Sequence, residues 1–301
     1  MLSIKEYMKR PRRAAAVILQ HYFTWLPDKA YLKLLFKFKM GRRLNLKNPQ
    51  TFSEKLQWLK LYDRNPEYTQ MVDKFAVKDY VANILGEEYI IPTLGIWNKP
   101  EEIDWDVLPE RFVLKTTYGG GSSGVVICKD RNTFDRNKAI TKLKRSAKQD
   151  IYRTLKEWPY KNVPKRIIAE QYIEPSPGAN DLPDYKFFCF NGEPKYCQVI
   201  SGRETGKFID FFDHDWNHQP FHEPSYYSFA DEEPAKPKCL EKMWQAAACL
   251  AKGKAFSRID FYEVGDKVYF GEITFFPTSG MGGFSPVEYE TIVGNMIELP
   301  K

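Results

Sequence analysis

At 301 residues the chain is long enough to bury a sizeable core and to hold two lobes, which excludes a short binding module. Its formal charge of +6 is unevenly placed: residues 1–47 carry twelve Lys and Arg against two acids, and residues 48–301 carry thirty-three against thirty-seven. A basic arm of net +10 therefore precedes a slightly acidic globular body of net −4.

Five cysteines without C-x-x-C spacing are expected to be reduced and structural, which fits the cytosol. The apolar run Ala14–Leu19 is interrupted by Gln20 and His21 with no cleavage site after it, so export is not expected. No stretch reaches the roughly 18 apolar residues of a membrane span.

In chain order, residues 1–47 read as two basic amphipathic helices separated at Pro27. Lys29, Lys33 and Lys37 recur every four residues, opposite Tyr31, Leu34, Leu35 and Phe38, so they line one face. That face is either a solvated helix surface or a docking face for anionic lipid or an anionic polymer. Thr51 and Glu54 have capping-box spacing, so a helix starts there and ends near Asn65-Pro66. The next helix covers about Thr69–Leu85 and stops before Gly86.

Strand-like Tyr89–Pro92 and a loop through Pro100 precede a strand at 112–115, its return strand at 125–128, and a helix over 133–157. The strand Arg166–Tyr172 leads through a Pro/Gly/Asn/Asp loop at 174–183 to strands Tyr185–Phe190 and Lys195–Ile200. Asn191-Gly192 between them is a strong hairpin signal. A helix at about 234–254 and strands at 256–263 and 267–274 complete the body.

Two distant segments carry the chemistry. In Phe112-Val-Leu-Lys115-Thr-Thr-Tyr-Gly119-Gly-Gly-Ser-Ser-Gly124, a β-rich run ends in a lysine and turns into a Gly/Ser loop. Its backbone N–H groups can close on phosphate oxygens beside an ammonium, although a plain hairpin turn is the simpler use of such a loop. It is not a P-loop, because no Gly-Lys-Ser/Thr follows. The second segment, Arg258-x-Asp260 with Glu272-x-Thr274, puts an arginine and two carboxylates on adjacent antiparallel strands. Such hard oxygens suit Mg²⁺ shared with nucleotide phosphates; the bland alternative is a buried structural salt bridge.

The order Asp73-Lys74, Lys115 before the Gly/Ser loop, Glu170-Gln-Tyr-Ile173, then Arg258-x-Asp260 and Glu272-x-Thr274 resembles the ATP-grasp superfamily. Within it, Asn48-Pro-x-Thr-Phe-x-Glu-Lys-x-x-Trp58 and Asp184-Tyr-Lys186-Phe-Phe-Cys-Phe-Asn-Gly192 resemble the branch named for the teichuronopeptide biosynthesis protein, over roughly residues 45–285. The resemblance implies an α+β fold with ATP between two lobes. Residues 1–66 would form a helical basic region, 67–165 the first lobe and 166–301 the second.

By the same resemblance, Lys74 and Lys115 reach the ATP phosphates, and Gly119, Gly120, Gly121, Ser122 and Ser123 form a lid over them. Glu170, Gln171, Tyr172 and Ile173 form the hinge against adenine, and Asp184 takes the ribose. Arg258 and Lys186 are the catalytic cations, and Asp260, Glu272 and Thr274 hold Mg²⁺. The third metal position departs from the superfamily's usual Asn, which puts a second metal ion in doubt.

The implied reaction joins a carboxylate to an amine through an acyl phosphate, in cell-envelope or surface-polysaccharide assembly. The implied partners are a carboxylate acceptor, such as a uronic acid, and an amine or amino acid. Nucleic acid is not among them. The implied place is the cytoplasm or the inner face of the membrane.

Two other readings compete. Asp213-His-Asp215 is a D-x-D of the kind nucleotide-sugar glycosyltransferases use for metal, though more simply a turn. A degenerate ATP-binding scaffold is argued against by the presence of Arg258, Asp260 and Glu272. His214, His218 and His222 fall in a polar loop and form no clear triad.

Overall fold

The structure is a computed structural model that describes residues 11–175, 182–201, 208–224, 229–230 and 233–300. Helices α1 (Pro11–Tyr22) and α2 (Asp28–Met40) flank the expected break at Pro27. The left-handed Gly41 (φ 74°) ends α2 and donates to the Lys37 carbonyl, the backbone geometry for which glycine is the usual choice. The buried stripe of α2 is Tyr31, Leu32, Leu35 and Phe36, whereas Leu34 is 39% exposed and Phe38 only half-buried. This corrects the expected stripe of Tyr31, Leu34, Leu35 and Phe38. These side chains join Ala16 and Leu19 of α1 and Met281 in a small core of their own.

Helix α3 (Phe52–Tyr62) opens on the expected capping box. The expected helix over Thr69–Leu85 is two helices, α4 (Glu67–Val72) and α5 (Ala76–Leu85). Asp73 breaks them apart: its Oδ1 accepts from the backbone N–H of Phe75 and Ala76, a local bond that competes with a continuous helix. The helix expected over 133–157 is likewise two, α6 (Arg136–Ala147) and α7 (Ile151–Leu155). Asp135 caps the first and Asp150 the second.

Strand β1 is Thr93–Trp97, later than the expected Tyr89–Pro92, where residues 87–89 form a 3₁₀ turn. The apolar rhythm of β1 is hidden by Gly95, over which the Trp97 ring lies; a Cβ there would sit 2.4 Å from it. Strands β2 (Phe112–Thr116), β3 (Val125–Cys128) and β4 (Ile167–Gln171) complete a four-stranded antiparallel sheet of order β1-β4-β2-β3. Helix α6 packs on β2 and β3 over a core that includes Phe112, Leu114 and Leu143.

The second sheet is five-stranded, β7-β6-β5-β8-β9. Its strands are β5 (Asp184–Phe190), β6 (Glu193–Ser201), β7 (Phe208–Phe212), β8 (Phe256–Val264) and β9 (Lys267–Thr274). As expected, β5 and β6 turn at Asn191-Gly192, both with positive φ. Helix α8 (Leu240–Ala251), shorter than the expected 234–254, covers one face, over Phe187, Ile259 and Phe261. The opposite face carries the polar side chains described below. In β9 the register shifts at Gly271: Asp260 pairs with Glu272, but Phe261 pairs with Phe270. Helix α9 (Tyr289–Asn295) packs on α3.

Asp213-His-Asp215 forms a turn. The Asp213 carbonyl accepts from Trp216 N, its carboxylate accepts from Asn217 N, and Asp215 is exposed. All five cysteines are free thiols. Among the described residues, no helix is long and apolar enough to cross a membrane.

Candidate active site

A cleft of about 1770 Å³ runs between the two sheets and is closed at one end by α1 and α2. On the four-stranded side, the Asp73 break places Lys74 at the cleft. Its backbone N donates to the Thr117 carbonyl at 2.8 Å and its Nζ to the Gly119 carbonyl at 2.7 Å. Lys115, on β2, points into the same space. The loop after β2 forms a 3₁₀ turn at Gly121–Gly124. A Cβ on Gly120 or Gly121 would meet nothing within 4 Å, whereas one on Gly124 would strike Thr116 Oγ1 at 2.2 Å. The loop is thus anchored at Gly124 and open over the cleft at Gly120–Gly121. Gly119 and Ser123 line a shallow pocket beneath it, with Lys74 and Ser146. The Ser122 side chain lies outside the described residues.

Strand register builds the other wall. Lys186 of β5 stands opposite Asp260 of β8, and Asp260 opposite Glu272 of β9, so three charged side chains form one rung. The next rung holds Phe188, Arg258 and Thr274. Period-two alternation brings Arg258, Asp260, Glu272 and Thr274 to the cleft face. The Arg258 guanidinium donates to Asp260 through Nε at 2.7 Å and Nη2 at 2.8 Å, to Glu272 Oε1 at 3.0 Å and to Thr274 Oγ1 at 3.1 Å. Thr274 Oγ1 lies 3.3 Å from the same Glu272 oxygen. Lys186 pairs with Asp184 at 2.7 Å and with Asp260. Across the cleft, Lys74 Nζ is 3.6 Å from Glu272.

Burial is the largest single influence on Asp260, Glu272 and Arg258, and the ion pairs together overcome it at Glu272 and Arg258 but not at Asp260. It pushes Asp260 up, against Arg258 and Lys186, which pull it down. At Glu272 burial also acts upward but is overcome by Lys74 first and then Arg258, which hold it at about 2. For Arg258, burial would weaken the charged form, and Asp260 and Glu272 reverse that, raising its pKa. The guanidinium is a fixed cation between two carboxylates.

The segment expected to form the adenine hinge begins at the end of β4. Glu170 is buried within β4 and pairs with Lys115 at 2.5 Å and Lys78 at 2.6 Å. The Gln171 N–H donates to the Pro92 carbonyl. Tyr172 and Ile173 follow the strand, half-buried; residues 170–173 do not line the cleft, whereas Asp184 does.

Sequence reasoning missed several members. Lys78 lies one helical turn after Lys74 and on the apolar side of α5, between Val77 and Val81, which are buried with it. Tyr160, Gln198 and Glu223 also line the cleft. At its floor, Thr278 and Ser279 take left-handed φ values of 47° and 57°. They are fixed from behind by α3: Gln57 Nε2 donates to the carbonyls of Ser279 and Gly280, and buried Lys60 Nζ to Ser279 O and Oγ. Burial brings Lys60 down to about 8 and raises its neighbour Glu157. The available signal was phase, since Lys60 follows buried Leu56 by four residues.

The donor set of Asp260, Glu272 and the Thr274 hydroxyl is chemically fit for Mg²⁺, which is commonly held by one or two carboxylates together with substrate phosphates. Among the described residues, no group of three or more His, Cys, Asp or Glu side chains is arranged to hold a metal by itself. His214 lies 3.0 Å from Glu241 and His218 2.9 Å from Asp210.

Two antiparallel sheets facing each other across such a cleft, with lysines and a glycine loop on one wall and Arg-x-Asp with Glu on the other, define an ATP-grasp fold. The chain belongs to the TupA-like ATP-grasp family, whose profile matches residues 54–298. No curated protein matches it.

Among solved structures, D-alanine–D-alanine ligase from Bacillus anthracis is similar at a TM-score of 0.42 and 17% identity, covering 74% of this chain and 65% of that one. D-alanyl-alanine synthetase A from Vibrio cholerae gives 0.43 and 14%, covering 81% and 68%. A RimK domain ATP-grasp protein from Sphaerobacter thermophilus gives 0.40 and 13%, covering 76% and 69%. The chain spans a little under two thirds of the length of the Bacillus anthracis ligase.

Proposed function

We propose that this protein is an ATP-dependent carboxylate–amine ligase that works through an acyl phosphate and releases ADP and phosphate. One observation carries the reading: a single cleft joins Lys74, Lys115 and an open glycine loop to a half-buried Arg258 clamped between Asp260 and Glu272. Lys74 and Lys115 act as point charges on the nucleotide phosphates, and the backbone of Gly119–Ser123 closes over them. A carboxylate oxygen of the acceptor attacks the γ-phosphorus and ADP leaves. The amine then attacks the acyl carbon, phosphate leaves and the amine loses a proton.

Arg258, already fixed, meets the charge that develops on the transferred group without reorganising. Lys186 holds Asp184 and Asp260 in place. Mg²⁺, held by Asp260 and Glu272 with Thr274 as a neutral third donor, would neutralise phosphate charge as it moves. The lobes are proposed as residues 67–165 and 166–301, after a helical region at 1–66, with β4 of the second stretch inserted between β1 and β2 of the first lobe's sheet. The hinge role of Glu170–Ile173 and the ribose role of Asp184 are part of the same reading.

The acceptor is proposed to be a uronic acid or similar acid of a surface glycan, and the donor an amine or amino acid, in cell-envelope assembly. The place is the cytoplasm. The exposed Lys29, Lys33 and Lys37 of α2, with Trp25 at 73% exposure, would rest on anionic lipid, each charge contributing on the order of 1 kcal/mol.

Phosphorus NMR of a reaction with candidate acids and amines is the test. ADP with phosphate is expected, whereas AMP with pyrophosphate overturns the acyl-phosphate route. Stabilisation by a UDP-sugar and not by Mg-ATP in a thermal shift would instead favour glycosyl transfer.

A further inference from the structure

The polar rung of the five-stranded sheet does not end at Lys186. Lys186 pairs in register with Gln198 of β6, so Glu272, Asp260, Lys186 and Gln198 stand side by side on consecutive strands. At ordinary strand spacing the backbones of Gln198 and Asp260 are about 10 Å apart. Gln198 is only 2% exposed and lines the cleft, and its Nε2 has no hydrogen-bond partner among the described residues. An unmet buried donor carries a cost that a ligand oxygen removes.

Glu223 reaches the same place from another part of the chain. His222 is held in an antiparallel bridge to Ser285, with backbone hydrogen bonds of 2.9 and 2.8 Å, so the chain is extended there and Phe221 and Glu223 face one side. The Phe221 ring lies 4.7 Å from that of Phe211 and 5.2 Å from that of Tyr196. Phe211 is the β7 partner of Gln198, and Tyr196 precedes Gln198 by two on the same face of β6. Phe221 therefore covers the sheet beside Gln198, and Glu223 follows it into the cleft. Lys186 and Arg258 are committed to Asp184, Asp260 and Glu272, and among the described residues neither forms an ion pair with Glu223. Gln198 is near enough to ease the charge on Glu223, yet its Nε2 is not bonded to it.

The charge balance decides what fits. Asp184, Asp260 and Glu272 already outnumber Lys186 and Arg258 on this wall, and Glu223 adds one more carboxylate. Burial raises its carboxyl, with Arg258 and Lys186 pulling the other way, so a cation brought beside it is favoured and a ligand bearing only negative charge is not. A donor and an acceptor side by side match an ammonium with an oxygen close to it. We propose that Gln198 and Glu223 form the subsite of the amine substrate, with the ammonium on Glu223 and an oxygen of the same molecule on Gln198 Nε2. The amine is then an amino acid or an amino alcohol in preference to a plain polyamine. The role of that ligand rests on the ligase reading, but the site can be tested without turnover.

The probes are the common amino acids, ethanolamine and putrescine, each beside its fully N-acetylated form, which lacks the ammonium. They are titrated calorimetrically into the full chain, alone and with Mg²⁺ and a non-hydrolysable ATP analogue. Glu223→Gln keeps the shape of the side chain and removes its charge, and Gln198→Met removes the donor.

For the preferred amine, wild type is expected to bind the ammonium form at least about ten-fold tighter than the acetylated one. Glu223→Gln should lose about ten- to a hundred-fold, as for one charge-assisted contact. Gln198→Met should cost about three- to ten-fold for amino acids and ethanolamine, and nothing for putrescine, which has no oxygen. Both variants should bind the ATP analogue as wild type does. The proposal is overturned if no probe binds wild type, if acetylated and free amines bind alike, or if Glu223→Gln binds amines as tightly as wild type. Loss of the ATP analogue in both variants would put the nucleotide at these side chains and overturn it as well. The analogue also separates the two readings. Amine binding through Glu223 in a chain that binds no nucleotide would keep the subsite and remove the ligase. Nucleotide binding with amine binding indifferent to Glu223 would do the reverse.

Discussion

On the four-stranded side of the cleft, one buried carboxylate, Glu170, serves two lysines, Lys115 and Lys78, and Lys74 adds a third cation. On the five-stranded side, three carboxylates, Asp184, Asp260 and Glu272, are met by two cations, Lys186 and Arg258. The first wall carries net +2 and the second net −1, with Lys74 and Glu272 reaching toward each other at 3.6 Å. The difference assigns tasks. A wall with surplus ammonium suits phosphate oxygens, and a wall with surplus carboxylate suits a divalent cation. Each wall is also closed on itself, so ligand binding exchanges partners instead of creating charges.

The largest expected effect comes from unlocking the acidic wall. Arg258→Met removes the only guanidinium between Asp260 and Glu272 among the described residues. It should lower turnover about 10³-fold and cost about 1–3 kcal/mol of stability, since buried Asp260 loses its bidentate partner and keeps only Lys186. Phosphate release and a urea melt read the two; turnover within ten-fold of wild type would break the comparison.

Lys115→Ala attacks the basic wall. Its Mg-ATP dissociation constant should rise about ten- to a hundred-fold, the value of one charge-assisted contact. Asp260→Asn or Glu272→Gln should instead leave binding within a few-fold and lower turnover. Calorimetry showing unaltered Mg-ATP binding in Lys115→Ala would remove the phosphate assignment.

A third test uses acid. Burial would raise the carboxyl of Glu272, and Lys74 leads the cations that hold it at about 2, below the ordinary 4.5. A depressed carboxylate contributes stability that is complete above pH 4.5 and lost as pH falls toward 2. Melts from pH 5 to pH 2 should therefore be steeper for wild type than for Glu272→Gln. Parallel curves would mean that the two walls do not couple through Lys74.

The smallest expected effect on folding is at the loop. Gly120→Ala meets no atom within 4 Å, so stability should stay within about 0.5 kcal/mol, while Mg-ATP affinity falls if this backbone closes on phosphate. Unchanged affinity would restrict the phosphate contacts to the lysines.

Strands and motifs were largely legible because their signals are local: alternation, an Asn-Gly turn, a lysine running into glycine. The helix breaks at Asp73 and Asp150 were not, because a carboxylate capping its own backbone competes with a periodicity that otherwise continues through it. Leu34 shows a further limit. The apolar residues of α2 fit more than one stripe, and packing against α1 selected Leu32 and Phe36 in place of Leu34 and Phe38. Glu170 and Lys78 show the last: sequence order placed Glu170 in the right strand, but only the pairing of β4 with β2 puts it within reach of Lys115, and that depends on residues far apart in the chain.

The extra residue at Gly271 acts as a change of reading frame within one strand. Counting by twos, Phe270 and Glu272 ought to share a side of the sheet. Phe270 instead is buried beside Phe261, while Glu272 aligns with Asp260. An oily residue and an acidic one, two positions apart, are thereby sent to opposite faces. The Asp260 carbonyl would lie 3.0 Å from any Cβ at position 271, so the shift favours a residue without one. Removing this residue would make Phe270 and Glu272 consecutive, so that plain alternation would keep the ring and the acid on their opposite faces, whereas filling the bulge with an ordinary residue would have to push back the Asp260 carbonyl.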